Sequence, residues 1–423
     1  MNEPTLTVLK HAFLYYEKAD YDEAIIQSNR LIQDYPNHAF GWKLLGLSLR
    51  AFKQYEQALK AQQQSVQLAP DDMEANNNLA VTLVDCGRHE EAIQLYQDLL
   101  GIKPDQPLLL CGLGYALFAF GQAEKAVEYF KQALTIVPDD LKAQIGYAKT
   151  NHALGKLPTA HHHYREALTL QLSQPIGEVK RPQRNDFDSQ ENETLMWQTL
   201  VQLATAGVHA FASSGTLLGL IREGGLLPFD KDLDFGLPYN EHALANACLL
   251  ENGWQESVYN KGLINPREYK HLKTGLMLDM CGFSVEPKTG ITVSGFWLKD
   301  GQPSWNRITE YPTLTLHKIQ HTEGWLWTHS HPEQILEALY GDWQTPEPSF
   351  NTVIQAKNQR GFSLLTQCYA LMHILDHWQQ GQLRKALSCT GHCIQHLPND
   401  ALLRQVHAEL KNSLAKTDLG EII

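Results

Sequence analysis

Alanine and proline recur at a fixed interval in the first part of the chain, and this interval constrains the fold more than any other feature. Successive alanines lie 34 residues apart, and each of the first four is followed 12 residues later by a proline. The positions are Ala24, Ala58, Ala92, Ala126 and Ala160, with Pro36, Pro70, Pro104 and Pro138. Small residues let two antiparallel helices approach closely, and proline ends the second helix of each pair. A single pair cannot bury its own apolar face, so the pattern predicts five stacked pairs.

Other small or apolar residues recur in the same register, among them Trp42, Leu45 and Gly46 in the second unit. The whole pattern resembles the tetratricopeptide repeat. We therefore predict five such repeats over residues 1–172. The resemblance implies a curved array whose concave face binds a protein or a peptide. A purely structural support for a neighbouring domain is the alternative.

The repeat pattern stops at residues 173–190, where two prolines, a glycine and mixed charges predict a linker. A helix is expected over 191–209, at the start of a second domain at 191–350. Beyond it, Ala386 and Pro398 are again 12 residues apart. We predict C-terminal helices over 351–423 that include a sixth repeat-like unit and a capping helix at 401–415. The second domain would then be an insertion between repeat elements.

Three carboxylates in the stretch 213–238 alternate with apolar residues. Asp230, Asp232 and Asp234 are spaced by two, so in a strand they point to one face. The apolar residues between and after them are Leu233, Phe235 and Leu237. Acids this close repel each other unless a cation or Arg or Lys partners neutralise them, and carboxylate oxygens suit Mg²⁺ or Mn²⁺. The alternative is a solvated acidic edge strand, which the alternating apolar residues disfavour.

Motifs around these acids occur in a defined order. They are Gly215-Thr216-Leu217-Leu218-Gly219, Arg222, Gly224-Gly225, Pro228-Phe229-Asp230 and Asp232-Leu233-Asp234. The series resembles the LicD/fukutin family, which has the polymerase-beta-like nucleotidyltransferase fold. Two later blocks also resemble the family: the apolar segment around Asp279, and Tyr340-Gly341-Asp342-Trp343. Phe229 stands where the family usually has tryptophan.

The fold class that follows is multidomain. An all-α tetratricopeptide-repeat solenoid precedes an α/β (α+β) nucleotidyltransferase-fold catalytic domain, and a C-terminal helical repeat-like segment ends the chain. The resemblance implies an enzyme that transfers a phospho-alcohol or phospho-sugar-alcohol from a CDP-linked donor to a sugar hydroxyl. The acceptor would be a surface glycan or its precursor, as in lipopolysaccharide or teichoic acid biosynthesis.

The resemblance also implies roles for individual residues. Asp232, Asp234 and Asp279 are the expected metal ligands and catalytic acids, with Asp279 a ligand, a base or both. The expected substrate-binding residues are Gly215, Thr216, Arg222, Asp230, Lys270 and Lys273. Gly215 and Thr216 would offer backbone and hydroxyl donors to phosphate. Arg222 would contact phosphate, or instead form an ion pair with Asp230 or Glu223.

Composition excludes several classes of partner. The formal net charge of −12 argues against a general nucleic-acid binder. The sequence has no run of apolar residues long enough to predict a membrane span. Seven scattered cysteines, an odd number, fit reduced thiols, and a cytoplasmic location is expected.

Two other functions remain open from the sequence. One keeps the fold but makes the chain a nucleotidyltransferase that modifies a protein docked on the repeats. The other is a repeat-based adaptor without catalysis, which would bind no divalent metal. The three acids disfavour this last hypothesis.

Overall fold

The structure is a computed structural model that describes residues 3–174, 189–227, 232–257 and 262–420. The described chain divides into two compact units. The first contains the repeats up to Asn151. The second contains His152–Leu172 together with everything described from residue 189 onward. Part of the predicted linker, residues 175–188, lies outside the described residues, as do Asp230 and its neighbours at 228–231.

The first unit consists of consecutive antiparallel helices. They are α1 (Glu3–Glu17), α2 (Tyr21–Asp34), α3 (Ala39–Ala51), α4 (Tyr55–Leu68), α5 (Met73–Asp85), α6 (His89–Ile102), α7 (Pro107–Ala119) and α8 (Ala123–Ile136), followed by α9 (Leu141–Ala153), which crosses the unit boundary. From α1 to α8, each helix packs on the next along the chain.

The recurring small residues lie where these helices meet. The alanines at the 34-residue interval are fully buried. At Gly114, an added Cβ would lie 2.9 Å from the ring of Phe130 on the following helix, so α7 and α8 could not approach as closely with a larger residue. The spacing observed in the sequence is therefore the spacing of the helix contacts.

The second unit combines helices with strands. Its helices are α10 (Leu157–Leu172), α11 (Ser189–Thr205), α12 (Ser214–Arg222), α13 (His242–Glu251), α14 (Pro332–Tyr340), α15 (Thr352–Gln355), α16 (Leu364–Gln379), α17 (Leu383–His396) and α18 (Ala401–Gly420). Its strands are β1 (Phe211–Ala212), β2 (Asp232–Pro238), β3 (Trp254–Glu256), β4 (Leu263–Asn265), β5 (Arg267–His271), β6 (Met277–Val285), β7 (Thr292–Leu298), β8 (Arg307–Tyr311), β9 (Leu316–His321) and β10 (Gly324–His329).

Helix α11 is shorter than the helix predicted over 191–209. Gly207 has φ of +86°, a left-handed conformation that ends a helix at little steric cost. The N–H of Val208 then donates to the carbonyl of Leu203 at 2.9 Å. The chain leaves the helix there and enters β1.

Among the described residues, eight strands form one sheet and β9 pairs with β10 alone. The main path runs β1-β2-β6-β5-β3, and β7 joins β6, β4 and β8. Strands β2 and β6 are parallel, whereas the other pairs are antiparallel. A parallel pair needs a crossover, and α13 lies in the connection between β2 and β6.

One face of this sheet forms the core of the second unit. Leu233, Phe235 and Leu237 of β2 are fully buried, as their alternation with the acids predicted. They belong to one apolar cluster with residues of α11, α13, β5 and β6. Because side chains alternate along a strand, the acids of β2 lie on the opposite face.

Helices that precede and follow the mixed domain in the sequence pack against each other. Helix α10 precedes the domain and contacts α16 and α18, which follow it. Arg165 of α10 forms an ion pair with Asp400, with Nη1 2.6 Å from Oδ2. Cys389 and Cys393 of α17 are buried in this helical segment. The predicted fold class is confirmed: a helical repeat, a mixed α/β domain with a sheet, and C-terminal helices.

Candidate active site

Strand pairing brings together acids that are far apart in the sequence. In the parallel pair of β2 and β6, Asp234 lies opposite Asp279, and Asp232 lies opposite Met277. Residues paired across neighbouring strands point to the same face of a sheet. Asp232, Asp234 and Asp279 therefore share the face opposite the apolar core.

A fourth acid, Glu268, completes this row and was missed in the sequence. Strand β5 pairs antiparallel with β6, and Glu268 lies directly opposite Asp279. Asp234, Asp279 and Glu268 thus form a line across three strands. The hairpin between β5 and β6 sets this pairing: the N–H of His271 donates to the carbonyl of Leu276, which closes a short loop. Counting back from that loop on both strands pairs residue 268 with residue 279.

The acids alter the ionisation of Asp279. Its pKa is raised well above the ordinary value, first by burial and then by the charges of Glu268, Asp234 and Asp232. Burial and like charges both disfavour the ionised form of a carboxyl group. Full ionisation of the row is therefore disfavoured unless a cation neutralises it.

Three hydrogen bonds join Asp234 to the turn at the start of α12. The N–H of Gly215 donates to Oδ2 of Asp234 at 2.9 Å. The N–H of Asp234 donates to Oγ1 of Thr216 at 2.8 Å, and the N–H of Ser213 donates to the carbonyl of Asp234 at 2.9 Å. Ser214, between Ser213 and Gly215, has φ of +41°, a conformation uncommon for residues other than glycine. The Gly-Thr motif thus fixes both the backbone and the carboxylate of Asp234.

This arrangement adds a use for Gly215 and Thr216 that the sequence did not indicate. Thr216 is fully buried, and its hydroxyl oxygen accepts from the Asp234 backbone. The predicted contacts of both residues with phosphate stay predictions. Their observed contacts make them positioning residues for Asp234.

Replacing Thr216 by valine is expected to lower the free energy of unfolding by about 1–3 kcal/mol, because the Asp234 N–H loses its acceptor inside the protein. Valine keeps the shape of threonine, so packing is nearly unchanged. Urea unfolding measures the difference, and Thr216→Ser is the control that retains the hydroxyl. Equal stability of Thr216→Val and wild type would show that this hydrogen bond contributes nothing.

Arg222 connects the first motif to the last. Its Nε donates to Oε1 of Glu223 at 2.8 Å, one of the ion pairs that the sequence left open. Its Nη1 donates to the carbonyl of Trp343 at 3.2 Å. Trp343 belongs to the Tyr-Gly-Asp-Trp block, so two motifs 121 residues apart meet at this guanidinium. A contact of Arg222 with phosphate remains a prediction.

The predicted lysines differ in their relation to the acids. Lys270 pairs with Met277, which in turn pairs with Asp232, so Lys270 lies on the acid face at its exposed margin. Lys273 is exposed in the loop between β5 and β6. Asp230 lies outside the described residues. Lys270 is therefore better placed than Lys273 to meet a ligand bound at the acids.

Helix α16 brings to the acid row a residue, Tyr369, that the sequence did not indicate. The ring of Tyr369 packs edge-on against Phe296 of β7, with centroids 5.1 Å apart. Its pKa is raised by burial and then by the charges of Glu268 and Asp279. Cys281, two residues after Asp279 and on the same face, also has a raised pKa, from burial and from Asp234. Helix α16 thus lies near the acid row.

The comparison with protein families assigns this region. Residues 207–322 match the family model described as LicD/FKTN/FKRP, nucleotidyltransferase domain. The chain contains a LicD domain. The match spans β1 to β9 and includes the acids of β2, β5 and β6. A second match, described as Tetratricopeptide repeat, covers residues 20–173. The resemblances drawn from the motifs are confirmed for both parts.

Several solved structures are similar to part of the chain. MamA (41-end) from Desulfovibrio magneticus RS-1 is 18% identical, with a TM-score of 0.35, and the match covers 41% of this chain and 98% of that one. The TPR protein TTC0263 from Thermus thermophilus is 20% identical, with a TM-score of 0.37 and coverages of 39% and 91%. PilW, a type IV pilus biogenesis factor, is 20% identical, with a TM-score of 0.37 and coverages of 42% and 83%. No curated protein matches the chain.

These findings support coarse assignments. The LicD domain supports a transferase with a phosphotransferase-like role in glycan modification, and the repeats support interaction with a protein. Within the described part of the chain, the helices are too short or too polar to cross a membrane.

The acid row of the LicD domain fits a divalent cation by its donor chemistry. Carboxylate oxygens are the ligands that Mg²⁺ and Mn²⁺ prefer. Within residues 3–174, 189–227, 232–257 and 262–420, no three His, Cys, Asp or Glu side chains are already arranged as a ligand set. Backbone pairing decides which acids share the face, whereas rotatable bonds decide where each carboxylate points.

In the metal-free protein, the contribution of Asp279 to the free energy of unfolding is expected to fall as pH rises above the ordinary aspartate pKa of about 4. Folded Asp279 keeps its proton to a higher pH than the unfolded chain does. The folded state thus binds more protons in that window, and this contribution to stability is lost as pH rises towards the folded pKa.

Asp279→Asn cannot ionise. As pH rises, the free energy of unfolding of wild type should therefore fall relative to that of Asp279→Asn, in urea unfolding with a chelator present. Asp300→Asn, which replaces an exposed acid in a loop, should behave as wild type. An unchanged pH dependence in Asp279→Asn would contradict the raised pKa.

Proposed function

We propose that this chain is a metal-dependent phosphotransferase that moves a phospho-alcohol or phospho-sugar-alcohol from a CDP-linked donor to a sugar hydroxyl. The acceptor hydroxyl oxygen attacks the phosphorus that carries the alcohol. A new oxygen–phosphorus bond forms, the bond to the bridging oxygen breaks, and CMP leaves. The observation that carries this proposal is the row of acids across β2, β6 and β5 inside the LicD domain.

The proposed ligands of Mg²⁺ or Mn²⁺ are Asp232, Asp234 and Asp279. A divalent cation would supply charge neutralisation of the donor diphosphate and would make the bound oxygens more reactive. Asp234 suits this role because its carboxylate is held by the Gly215 N–H and its backbone by Thr216. A ligand that is fixed before binding loses less conformational entropy on binding.

Asp279 and Glu268 are the proposed acceptors of the proton that the attacking hydroxyl releases. Asp279 lies opposite Asp234 on the acid face, which places its carboxylate beside the proposed cation site. Glu268 lies opposite it and can share the proton. Lys270, at the margin of the same face, is the proposed contact for the leaving phosphate, and Arg222 links the end of α12 to the carbonyl of Trp343.

The repeats are proposed to recruit the acceptor or a partner protein through their concave face. The free cysteines favour a cytoplasmic location, where thiols stay reduced. The reaction would then modify a surface glycan or its lipid-linked precursor, such as a precursor of lipopolysaccharide or teichoic acid.

The experiment is a thermal-shift panel of CDP-choline, CDP-ribitol and CDP-glycerol, each with and without Mg²⁺ or Mn²⁺. A donor that binds the native state at 100 times its Kd stabilises it by about 2.7 kcal/mol. We expect a rise in Tm for one donor that requires the cation, followed by CMP release when an oligosaccharide acceptor is added. Labelling of a protein by CTP or ATP, with no response to CDP-alcohols, would instead support the alternative nucleotidyltransferase that modifies a protein on the repeats.

A further inference from the structure

The two-stranded hairpin of β9 and β10 carries two tryptophans on one face. Trp325 and Trp327 are two residues apart, so they point to the same side. Their cross-strand partners on that side are Gln320 and Lys318. The other side holds Leu326 and Ile319, which pack against the core cluster of the second unit. The hairpin thus has one face that packs on the core and one face that carries the tryptophans.

The Trp327 ring has two close neighbours, the Lys318 ammonium and the His209 ring. The Nζ of Lys318 lies 5.1 Å from the centroid of the Trp327 ring, a cation–π arrangement. The ring of His209 lies 4.4 Å from the same indole, and its Nδ1 is 2.7 Å from Oε1 of Glu241. The Lys318 ammonium is therefore held beside the hairpin by its own neighbours.

Trp325 is exposed beside this cation. Its side chain is 56% exposed, which is unusual for a residue of this size. With Lys318, Ala204 and Thr205 it lines a cavity of about 510 Å³. The Thr205 hydroxyl donates to the carbonyl of Val201 at 2.8 Å, so its oxygen can still accept a hydrogen bond. One flat apolar ring is thus surrounded by a cation and polar groups.

This surface is separate from the acid row. Asp232 begins β2, whereas Glu241, which holds His209, follows the end of that strand. A strand of seven residues is roughly 20 Å long. Trp325 also lies beyond residue 322, where the LicD family match ends. The acids and the family match therefore leave the tryptophan face unexplained.

We propose that Trp325 and Lys318 form a subsite for an acidic sugar residue of the acceptor. The inference rests on the proposed function in one respect, that the acceptor is a glycan. The C–H face of a pyranose is apolar and stacks on an indole, while its hydroxyls need the polar rim that Gln320 and Thr205 supply. A carboxylate or a phosphate on the sugar pairs with the Lys318 ammonium.

A sugar fits this surface better than a protein partner does. Aromatic anchors at protein interfaces are surrounded by contacts that exclude water. Around Trp325 the cavity wall is instead polar on two of its four residues, Lys318 and Thr205. Polar groups next to one ring match the hydroxyls of a monosaccharide.

The test uses the full chain labelled with 5-fluorotryptophan and ¹⁹F NMR, without added metal. The Trp325 resonance is identified by its loss in Trp325→Phe. It is titrated with glucose, glucuronate and glucose 6-phosphate, and the buried Trp254 serves as internal reference. We expect saturable shifts of the Trp325 resonance with glucuronate or glucose 6-phosphate, and the stronger of the two shows which anion is preferred. Glucose should bind roughly threefold more weakly, and Lys318→Gln should remove that difference.

Several outcomes would overturn the proposal. They are a Trp325 resonance that responds to none of the sugars, one that responds equally to glucose and to the charged sugars, and one that shifts only with protein concentration, which would indicate self-association. Asp234→Asn should keep the sugar-induced shift. A wild-type protein that shows the sugar-induced shift but transfers nothing from any CDP-linked donor would mean that the proposed reaction fails while this subsite stands.

Discussion

Replacing Asp234 by asparagine is expected to reduce metal-dependent transfer about a hundredfold or more while leaving the free energy of unfolding close to that of wild type. Loss of residues that only support a metal ligand already lowers affinity or activity 10- to 100-fold, as a rough guide, and Asp234 is a proposed direct ligand. Asparagine keeps an oxygen that can accept from the Gly215 N–H, so the turn at the start of α12 should persist. It also removes one of the charges that repel Asp279.

The measurement is the rate of CMP release from the donor identified by thermal shift, together with urea unfolding of the same variant. Asp300→Asn is the matched control, because it removes an acid of the same kind from an exposed loop. Its activity should equal that of wild type. Full activity in Asp234→Asn would remove the basis for the proposed site.

Replacing Leu233 by alanine is expected to change stability instead: the free energy of unfolding should fall by about 2–5 kcal/mol. Leu233 lies between Asp232 and Asp234 but points to the other face, where it is fully buried. Truncation removes apolar contacts and leaves a cavity in the core shared by α11, α13 and the sheet. Neighbouring positions of one strand would then separate activity from stability.

Leu272→Ala is the control for this prediction. Leu272 is 67% exposed in the loop after β5, so its truncation should change the free energy of unfolding by less than about 0.5 kcal/mol. Urea unfolding with comparable slopes for the variants gives the comparison. A small effect of Leu233→Ala would mean that the apolar face of β2 is not the core of this unit.

The sequence predicts the elements of this fold better than their contacts. The 34-residue interval locates helices because each recurring alanine, such as Ala92, is a contact point between two of them. The alternation of Leu233 and Phe235 with the acids predicts the two faces of β2 for a similar reason, because both patterns are local. Where α11 ends was predicted less well, since a single glycine at 207 decides it.

Contacts between distant residues explain what was missed in the site. Glu268 joins the acids only because β5 pairs with β6, and Tyr369 lies near them only because α16 packs beside β8. Thr216 has a hydroxyl suited to phosphate, yet its buried position directs it to the Asp234 backbone. The meeting of Arg222 with Trp343 depends on the packing of α12 against α14. None of these contacts produces a periodic pattern of residues in the sequence.

The central claim is that the acids on β2, β6 and β5 bind a divalent cation, and Mn²⁺ binding tests it most directly. Calorimetric titration of the full chain with MnCl₂ is compared for wild type, Asp234→Asn, Glu268→Gln and Asp300→Asn. We predict saturable binding for wild type and Asp300→Asn, loss of binding for Asp234→Asn, and weakened binding for Glu268→Gln. Wild-type protein that binds no Mn²⁺, or Asp234→Asn that binds it as wild type does, would contradict the claim.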